Sequence, residues 1–126
     1  MAQNTILVVE DDTNQRELYE EELSAEGYQV LTAGDGREAL TVVRDQHPDL
    51  VVLDINMPAM DGLDTLGHLL GIDNGMPVII NTAYAGYQDS FASWPADAYI
   101  VKSSDLTELK ETVKRLLEAK AARPQA

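Results

Sequence analysis

The 126-residue sequence contains no cysteine. This absence excludes disulfide bonds, thiolate metal sites and cysteine catalysis. Basic residues are scarce, since nine lysines and arginines stand against 22 aspartates and glutamates and leave a net charge of −13. A field of that sign repels polyanions, so we expect no direct binding of nucleic acid or of an anionic membrane surface. Any influence on DNA would act through a partner protein.

Long apolar runs are also missing. No stretch approaches the ~20 residues that a membrane span needs, and the N-terminal residues Met1 to Thr5 lack the charged and apolar regions of a signal peptide. We therefore expect a cytoplasmic protein with no membrane segment. The hydrophobic share of 44% and the charged share of 25% are typical of a globular protein, and the length suits one domain better than two.

Short, unbroken apolar runs predict strands that are buried on both faces. The clearest is Leu50 to Leu53, which Asp54 follows at once. The other predicted strands are Thr5 to Val9, before Glu10-Asp11-Asp12; Tyr28 to Ala33; Val78 to Ile80, before Asn81-Thr82-Ala83; and Ala98 to Val101, before Lys102.

Amphipathic segments between these strands predict five helices. They are Thr13 to about Glu26, stopped by Gly27; a short helix with Ala39, Leu40 and Val43 after Gly34-Asp35-Gly36, ended by His47-Pro48; about Asp61 to Leu70; a weak helix within Tyr84 to Trp94; and a last helix after Ser104 or Asp105, followed by a tail over 120–126. In the first helix, we expect Asp12 or Thr13 to be the cap and Leu18 and Leu23 to face inward. Strands that alternate with helices predict an α/β fold, with a three-layer parallel sheet and right-handed crossovers.

Charged and hydroxyl side chains follow four of the predicted strands. Because the carboxyl ends of parallel strands meet at one edge of a sheet, we expect Glu10, Asp11, Asp54, Thr82 and Lys102 to converge there. Three carboxylates against one ammonium leave about two uncompensated negative charges, at a cost of several kcal/mol when they are close. Hard oxygen ligands, without thiolates or convergent histidines, point to Mg²⁺ as the compensating cation. The alternative is an acidic rim that water and Lys102 balance.

A carboxylate beside Mg²⁺ at a strand end suits attack on phosphorus to give an acyl phosphate. In this interpretation Asp54 is the nucleophile, and Asp11, supported by Glu10, holds the metal. Lys102 and the Thr82 hydroxyl would contact the phosphoryl oxygens, where negative charge develops. The structural alternative for a lone strand-end aspartate is a cap for the following loop.

These residues together resemble the receiver domain of two-component response regulators. The resemblance covers residues 5 to about 119 and rests on Glu10-Asp11, Asp54 within Asp-Ile-Asn-Met-Pro, Thr82-Ala83 and Lys102, in that order. It implies a (βα)₅ flavodoxin-like fold with a parallel five-stranded sheet of order 2-1-3-4-5. We accordingly expect residues 1–126 to be a single receiver domain.

The resemblance also implies roles for individual residues. Asp54 would accept a phosphoryl group from the histidine of a sensor kinase or from a phosphotransfer protein, and the main-chain carbonyl of Asn56 would join Asp11 and Asp54 around Mg²⁺. Thr82 and Tyr99 would change position on phosphorylation and signal to a downstream protein target. The protein would assist its own phosphorylation and dephosphorylation without being a turnover enzyme. A homodimer is compatible with this interpretation.

One departure from the family pattern concerns Lys102. The family usually has Lys-Pro with a cis peptide at this point, whereas this chain has Lys102-Ser103. A cis bond to a residue other than proline costs ~3 kcal/mol. We therefore expect a trans peptide and a changed position of the lysine side chain.

Three other functions fit parts of the sequence. Residues 34–39 match the dinucleotide pattern Gly-x-Gly-x-x-Ala, although a glycine turn into a helix explains them without a ligand. A phosphatase of the haloacid-dehalogenase type also uses an aspartyl phosphate, but it needs a second aspartate where this chain has Asn56. A pseudo-receiver, which is an interaction module without phosphorylation, is the third. His47 and His68 stand alone, and we expect both at the surface.

Overall fold

The computed structural model describes residues 3–54, 62–73, 75–83 and 96–122. Its five strands form one parallel sheet of order 2-1-3-4-5, which confirms the predicted fold. The strands are β1 (Thr5–Val9), β2 (Gln29–Ala33), β3 (Leu50–Leu53), β4 (Val78–Thr82) and β5 (Ala98–Val101), and the helices are α1 (Thr13–Ala25), α2 (Gly36–Gln46), α3 (Gly62–Ile72) and α4 (Thr107–Ala122). Within these ranges, no helix combines the length and apolar character that crossing a membrane requires. The helix expected within Tyr84 to Trp94 lies outside the described residues.

The sheet divides the core into two apolar layers because successive strand side chains point to opposite faces. Side chains such as Ile6 and Val52 pack with α1 and α4 on one face. Side chains such as Leu7 and Leu53 pack with α2 and α3 on the other. Every residue of β3 and β4 is buried. This double burial explains why the strands appear in the sequence as unbroken apolar runs.

The inward face of α1 differs from the prediction at one position. Tyr19 and Leu23 are buried, whereas Leu18 is 40% exposed. Residues four apart lie on the same face of a helix, and Leu18 is turned about 100° away from Tyr19. The predicted inward position of Leu18 was therefore wrong, and Tyr19 occupies it.

The ends of the helices at the two edges of the sheet largely follow the predicted signals. The Asp12 side chain caps α1 by accepting a hydrogen bond from a main-chain N–H of the first turn. Gly27 follows the helix with a φ of +97°, a conformation that favours glycine. The Thr107 N–H donates to the Asp105 carboxylate over 2.9 Å where α4 begins. This last helix continues to Ala122, so the predicted start of the tail at 120 was early.

Candidate functional site

The carboxyl ends of the five parallel strands lie at one edge of the sheet. Val9 pairs with Leu53, and Leu53 pairs with Ile80. The Asp54 N–H donates to the Val9 carbonyl over 3.1 Å and so continues the β1–β3 ladder by one step. Glu10 and Asp54 therefore leave neighbouring strands at the same level of the sheet.

Three acids meet at this edge. Glu10, Asp11 and Asp54 each offer a carboxylate oxygen, and these oxygens all lie within 4.8 Å of one another. Glu10 and Asp54 are buried, with 2% and 5% of their surface exposed, whereas Asp11 is exposed. The sheet thus holds two of the carboxylates away from water and leaves the third open to it.

Lys102 brings a positive charge into the cluster. Its Nζ atom lies 2.5 Å from Glu10 Oε1 and 3.1 Å from Asp54 Oδ2, and only 17% of its side chain is exposed. No cis peptide occurs among the described residues, so the Lys102–Ser103 bond is trans as expected. The lysine nevertheless reaches both acids, so the substitution of serine for proline does not remove this contact.

The pKa values of this group reflect burial and charge together. Burial raises the pKa of Glu10, and the attraction of Lys102 offsets that effect only in part. Burial alone would lower the pKa of Lys102, but its hydrogen bond to Glu10 and the charges of Asp54 and Glu10 outweigh burial and raise it. The ammonium is therefore firmly protonated, and the acids remain short of positive charge.

Main-chain contacts fix the acidic turn after β1. The Arg16 guanidinium donates to the Glu10 carbonyl over 2.8 Å, and the Asp12 N–H donates to the Glu10 carboxylate over 3.2 Å. Both contacts hold the segment that presents Asp11. Arg16 was not singled out from the sequence, and its place one turn into α1 was the only signal for it.

The remaining predicted site residues differ in position. Thr82 ends β4, is fully buried, and accepts a hydrogen bond from the Lys102 N–H at its carbonyl over 2.7 Å. Tyr99 is half-buried and packs against the core layer on the α2 and α3 side. Asn56 and Asp61 lie outside the described residues.

A second polar pair was missed by sequence reasoning. Tyr19 and Asn81 are 2% and 3% exposed, and their side chains are hydrogen-bonded to each other. Burial raises the pKa of the Tyr19 phenol, while this hydrogen bond works in the opposite direction. The signal in the sequence was a polar asparagine within the apolar run of β4.

The glycine-rich turn before α2 does not have the character of a dinucleotide site. The Glu38 carboxylate accepts a hydrogen bond from the Gly34 N–H over 3.2 Å, and the Asp35 carboxylate accepts one from the Glu38 N–H over 2.9 Å. The amides that would cradle a phosphate are thus occupied by acids in a helix cap. His47 and His68 are both exposed, as expected.

The model of the response regulator receiver domain family matches residues 6–114. PrrA of Mycobacterium tuberculosis is 40% identical over 93% of this chain, but the chain covers only 51% of that regulator. The chain likewise covers only 27% of the regulatory protein AtoC of Escherichia coli. In contrast, sporulation initiation phosphotransferase F of Bacillus subtilis is 37% identical, and the match covers 96% of this chain and 99% of that protein.

The solved structures give the same result. The response regulator TrrA of Thermotoga maritima, in complex with Mg²⁺-BeF, superposes with a TM-score of 0.86 at 46% identity. The match covers 90% of this chain and 99% of TrrA. Since the family model matches residues 6–114, and sporulation initiation phosphotransferase F matches this chain over nearly its whole length, this chain belongs to the response regulator receiver domain family.

Proposed function

We propose that the chain is a phosphorylation switch in which Asp54 accepts a phosphoryl group from a phosphohistidine in a Mg²⁺-dependent reaction. One observation carries this proposal. The Asp54 carboxylate lies 3.1 Å from the Lys102 ammonium and within 4.8 Å of the carboxylate oxygens of Glu10 and Asp11. A buried carboxylate therefore has both a cation and two further carboxylates close to it.

The donor set fits Mg²⁺. All three candidate ligands are carboxylates, and Mg²⁺ prefers oxygen ligands and usually keeps several waters. Asp11 and Asp54 would hold the ion with support from Glu10, and the exposed side of Asp11 leaves access for water. The Asn56 carbonyl is proposed as a further ligand from the family resemblance. When bound, the ion would supply neutralisation of the negative charge on the phosphoryl oxygens.

The residues of the chain divide the chemistry among them. A carboxylate oxygen of Asp54 forms the new bond to phosphorus, and the bond from phosphorus to the donor histidine nitrogen breaks, with the electron pair leaving on that nitrogen. The Lys102 ammonium would stabilise the charge on the transferring oxygens, and the Thr82 hydroxyl would contact one of them. Thr82 and Tyr99 are proposed to change position afterwards and so alter the output face. Hydrolysis of the acyl phosphate at the same site, in which a water oxygen bonds to phosphorus and the bond from phosphorus to the Asp54 oxygen breaks, would end the signal.

A histidine kinase or a phosphotransfer protein is the proposed donor. TrrA has been solved in complex with the histidine kinase ThkA, and it is 46% identical to this chain. In this chain, Leu18 is an exposed large hydrophobic side chain on α1. It lines a cavity together with Gln15, Ala83 and the loop of Lys102 to Ser104. The lysine of this loop is the one that contacts Asp54. We propose this cavity as the surface where the donor docks.

The other parts of the proposal rest on the sequence. We keep a single receiver domain, a cytoplasmic location, a downstream protein target and no direct binding of nucleic acid, the last because of the net charge of −13. The alternative of a pseudo-receiver drew its support from the Lys102-Ser103 departure and from the irregular segment Tyr84 to Trp94, which lies outside the described residues. The first support is weakened because Lys102 contacts Asp54.

Incubation with acetyl phosphate and Mg²⁺, followed by intact-mass measurement, tests the acceptor. We expect one added phosphate on the natural chain and none on Asp54→Asn. An unmodified natural chain, under conditions that modify a known receiver, would favour the pseudo-receiver. Phosphatase activity on small phosphate esters should be negligible.

A second comparison separates docking from chemistry. Leu18→Glu should slow transfer from a phosphorylated histidine kinase, because it places a charge on the proposed contact surface, while the rate from acetyl phosphate stays unchanged. Equal loss with both donors would mean that the substitution damages the site itself, and no loss with either would place the docking surface elsewhere.

A further inference from the structure

The phosphoacceptor has a polar neighbour on the adjacent strand. Leu53 pairs with Ile80 in the parallel register of β3 and β4, and the residues that follow are Asp54 and Asn81. Their side chains share the sheet face that packs on α1, since side chains alternate along each strand and Val52 and Ile79 lie on that face. Neighbouring strands are about 4.8 Å apart. The Asn81 and Asp54 side chains are therefore neighbours on that face.

The side chain of Tyr19 is the hydrogen-bond partner of the Asn81 amide. The tyrosine lies on the inner face of α1, directly over this part of the sheet, and its side chain is hydrogen-bonded to that of Asn81. Both side chains are almost completely buried, so water does not compete for either of them. The charges of Asp54, Glu10 and Lys102 are close enough to act on the Tyr19 hydroxyl.

We propose that Tyr19 is a positioning residue that holds the Asn81 amide away from the Asp54 carboxylate and so keeps the phosphoacceptor available. This inference rests on the proposed function of Asp54. An amide left without its partner in the core would seek the nearest acceptor, because an unsatisfied buried donor is costly. A carboxylate on the same face accepts such a bond well, and a charged hydrogen bond is stronger than a neutral one. Asp54 bonded in this way would be a poorer nucleophile.

A purely structural role makes a different prediction. If the pair only joins α1 to β4, then breaking the hydrogen bond from either end should have the same effect on the reaction. If Tyr19 restrains the amide, the two ends are not equivalent. Tyr19→Phe releases an amide beside Asp54, whereas Asn81→Leu removes the amide altogether.

The test measures two quantities on the full chain, which are the initial rate of phosphate incorporation from acetyl phosphate with Mg²⁺ and the midpoint of thermal unfolding. We expect both single variants to lower the midpoint, by roughly 5 °C each. Tyr19→Phe alone should lower the rate, by about tenfold. Asn81→Leu and the double variant Tyr19→Phe/Asn81→Leu should react at the rate of the natural chain.

Tyr28→Phe is the matched control. Tyr28 packs against the same core layer but precedes β2, at the opposite edge of the sheet. The same loss of a hydroxyl there should leave the rate unchanged.

Three results would overturn the inference, namely equal rates for Tyr19→Phe and the natural chain, equal slowing by Tyr19→Phe and Asn81→Leu, or a slow double variant. Asn81→Leu keeps the test decisive if Tyr19→Phe does not fold, because a tenfold loss of rate in that variant contradicts the inference by itself. If the natural chain takes up no phosphate, the proposed function is refuted, and so is the inference that rests on it. That outcome is distinct, because it is seen before any variant is compared.

Discussion

Two aspartates flank β3, and the same substitution at each should have opposite effects on stability. Asp49 precedes the strand and Asp54 follows it. Asp54 lies among other acids, whereas Asp49 accepts a hydrogen bond from the Thr5 N–H over 2.8 Å and lies 3.7 Å from the Lys120 ammonium. We predict that Asp54→Asn stabilises the metal-free protein and that Asp49→Asn destabilises it.

The magnitude for Asp54 follows from the distances. A separation of 4.8 Å or less from Glu10 and from Asp11 gives a repulsion of about 3.5 kcal/mol each at an effective dielectric constant of about 20. The attraction of Lys102 at 3.1 Å is about 5 kcal/mol on the same scale. Because Asp11 is exposed and its share is screened, removal of the charge should raise the free energy of unfolding by about 1 kcal/mol. For a chain of this size that is about 4 °C in the unfolding midpoint.

Asp49→Asn keeps the shape of the side chain but weakens two favourable contacts. Its hydrogen bond from the Thr5 N–H becomes a weaker bond to a neutral acceptor, and the ion pair with Lys120 is lost. The pair is about one-third exposed and contributes little. The expected loss in the free energy of unfolding is therefore about 1 kcal/mol, mostly from the hydrogen bond.

Thermal or urea unfolding in EDTA and again in Mg²⁺ measures all of these effects. At a Mg²⁺ concentration ten times the dissociation constant, the natural chain should gain about 1.4 kcal/mol. Asp49→Asn should gain the same amount, and Asp54→Asn much less. A lower stability of Asp54→Asn than of the natural chain in EDTA would refute the argument from charge crowding. Equal stabilisation of both variants by Mg²⁺ would place the metal elsewhere.

Three further predictions concern single features of the fold. Burial raises the pKa of Glu10, so the stability that this carboxyl contributes is present below the unfolded pKa of about 4.3 and is lost as the pH rises through the folded value. In metal-free urea titrations, the free energy of unfolding of Glu10→Gln should therefore increase relative to that of the natural chain over this rise in pH. A difference that stays constant with pH would contradict this. Gly27→Ala should cost about 1 kcal/mol because φ is +97° there, whereas Gly67→Ala, inside α3 with open space around the added methyl group, should stabilise by about 0.5 kcal/mol in the same assay. The pair of Lys110 Nζ and Glu22 Oε1, 3.0 Å apart on side chains that are 27% and 39% exposed, should give a coupling energy close to zero in a double-mutant cycle because water screens the two charges, and a clear coupling would contradict this.

The sequence determined which segments form the strands and which residues follow them. Runs such as Leu50 to Leu53 are apolar throughout because both faces of the parallel sheet are covered. Once the strands are parallel, their carboxyl ends must share an edge, so topology places Glu10, Asp54 and Lys102 at the same edge of the sheet. The edge of the sheet at which these charged residues lie could therefore be predicted without coordinates.

The tertiary structure decided how side chains meet at a finer scale. Whether Leu18 or Tyr19 faces the sheet depends on a helix rotation of about 100°, and an approximate hydrophobic pattern does not fix that angle. The reach of Lys102 past a trans bond to Ser103 depends on how α4 and β5 are packed. The hydrogen bond between Tyr19 and Asn81 joins residues 62 positions apart, and no local pattern records such a contact. The periodicity of apolar residues is a local property of the sequence, whereas the pairing of polar groups inside a core depends on packing in three dimensions.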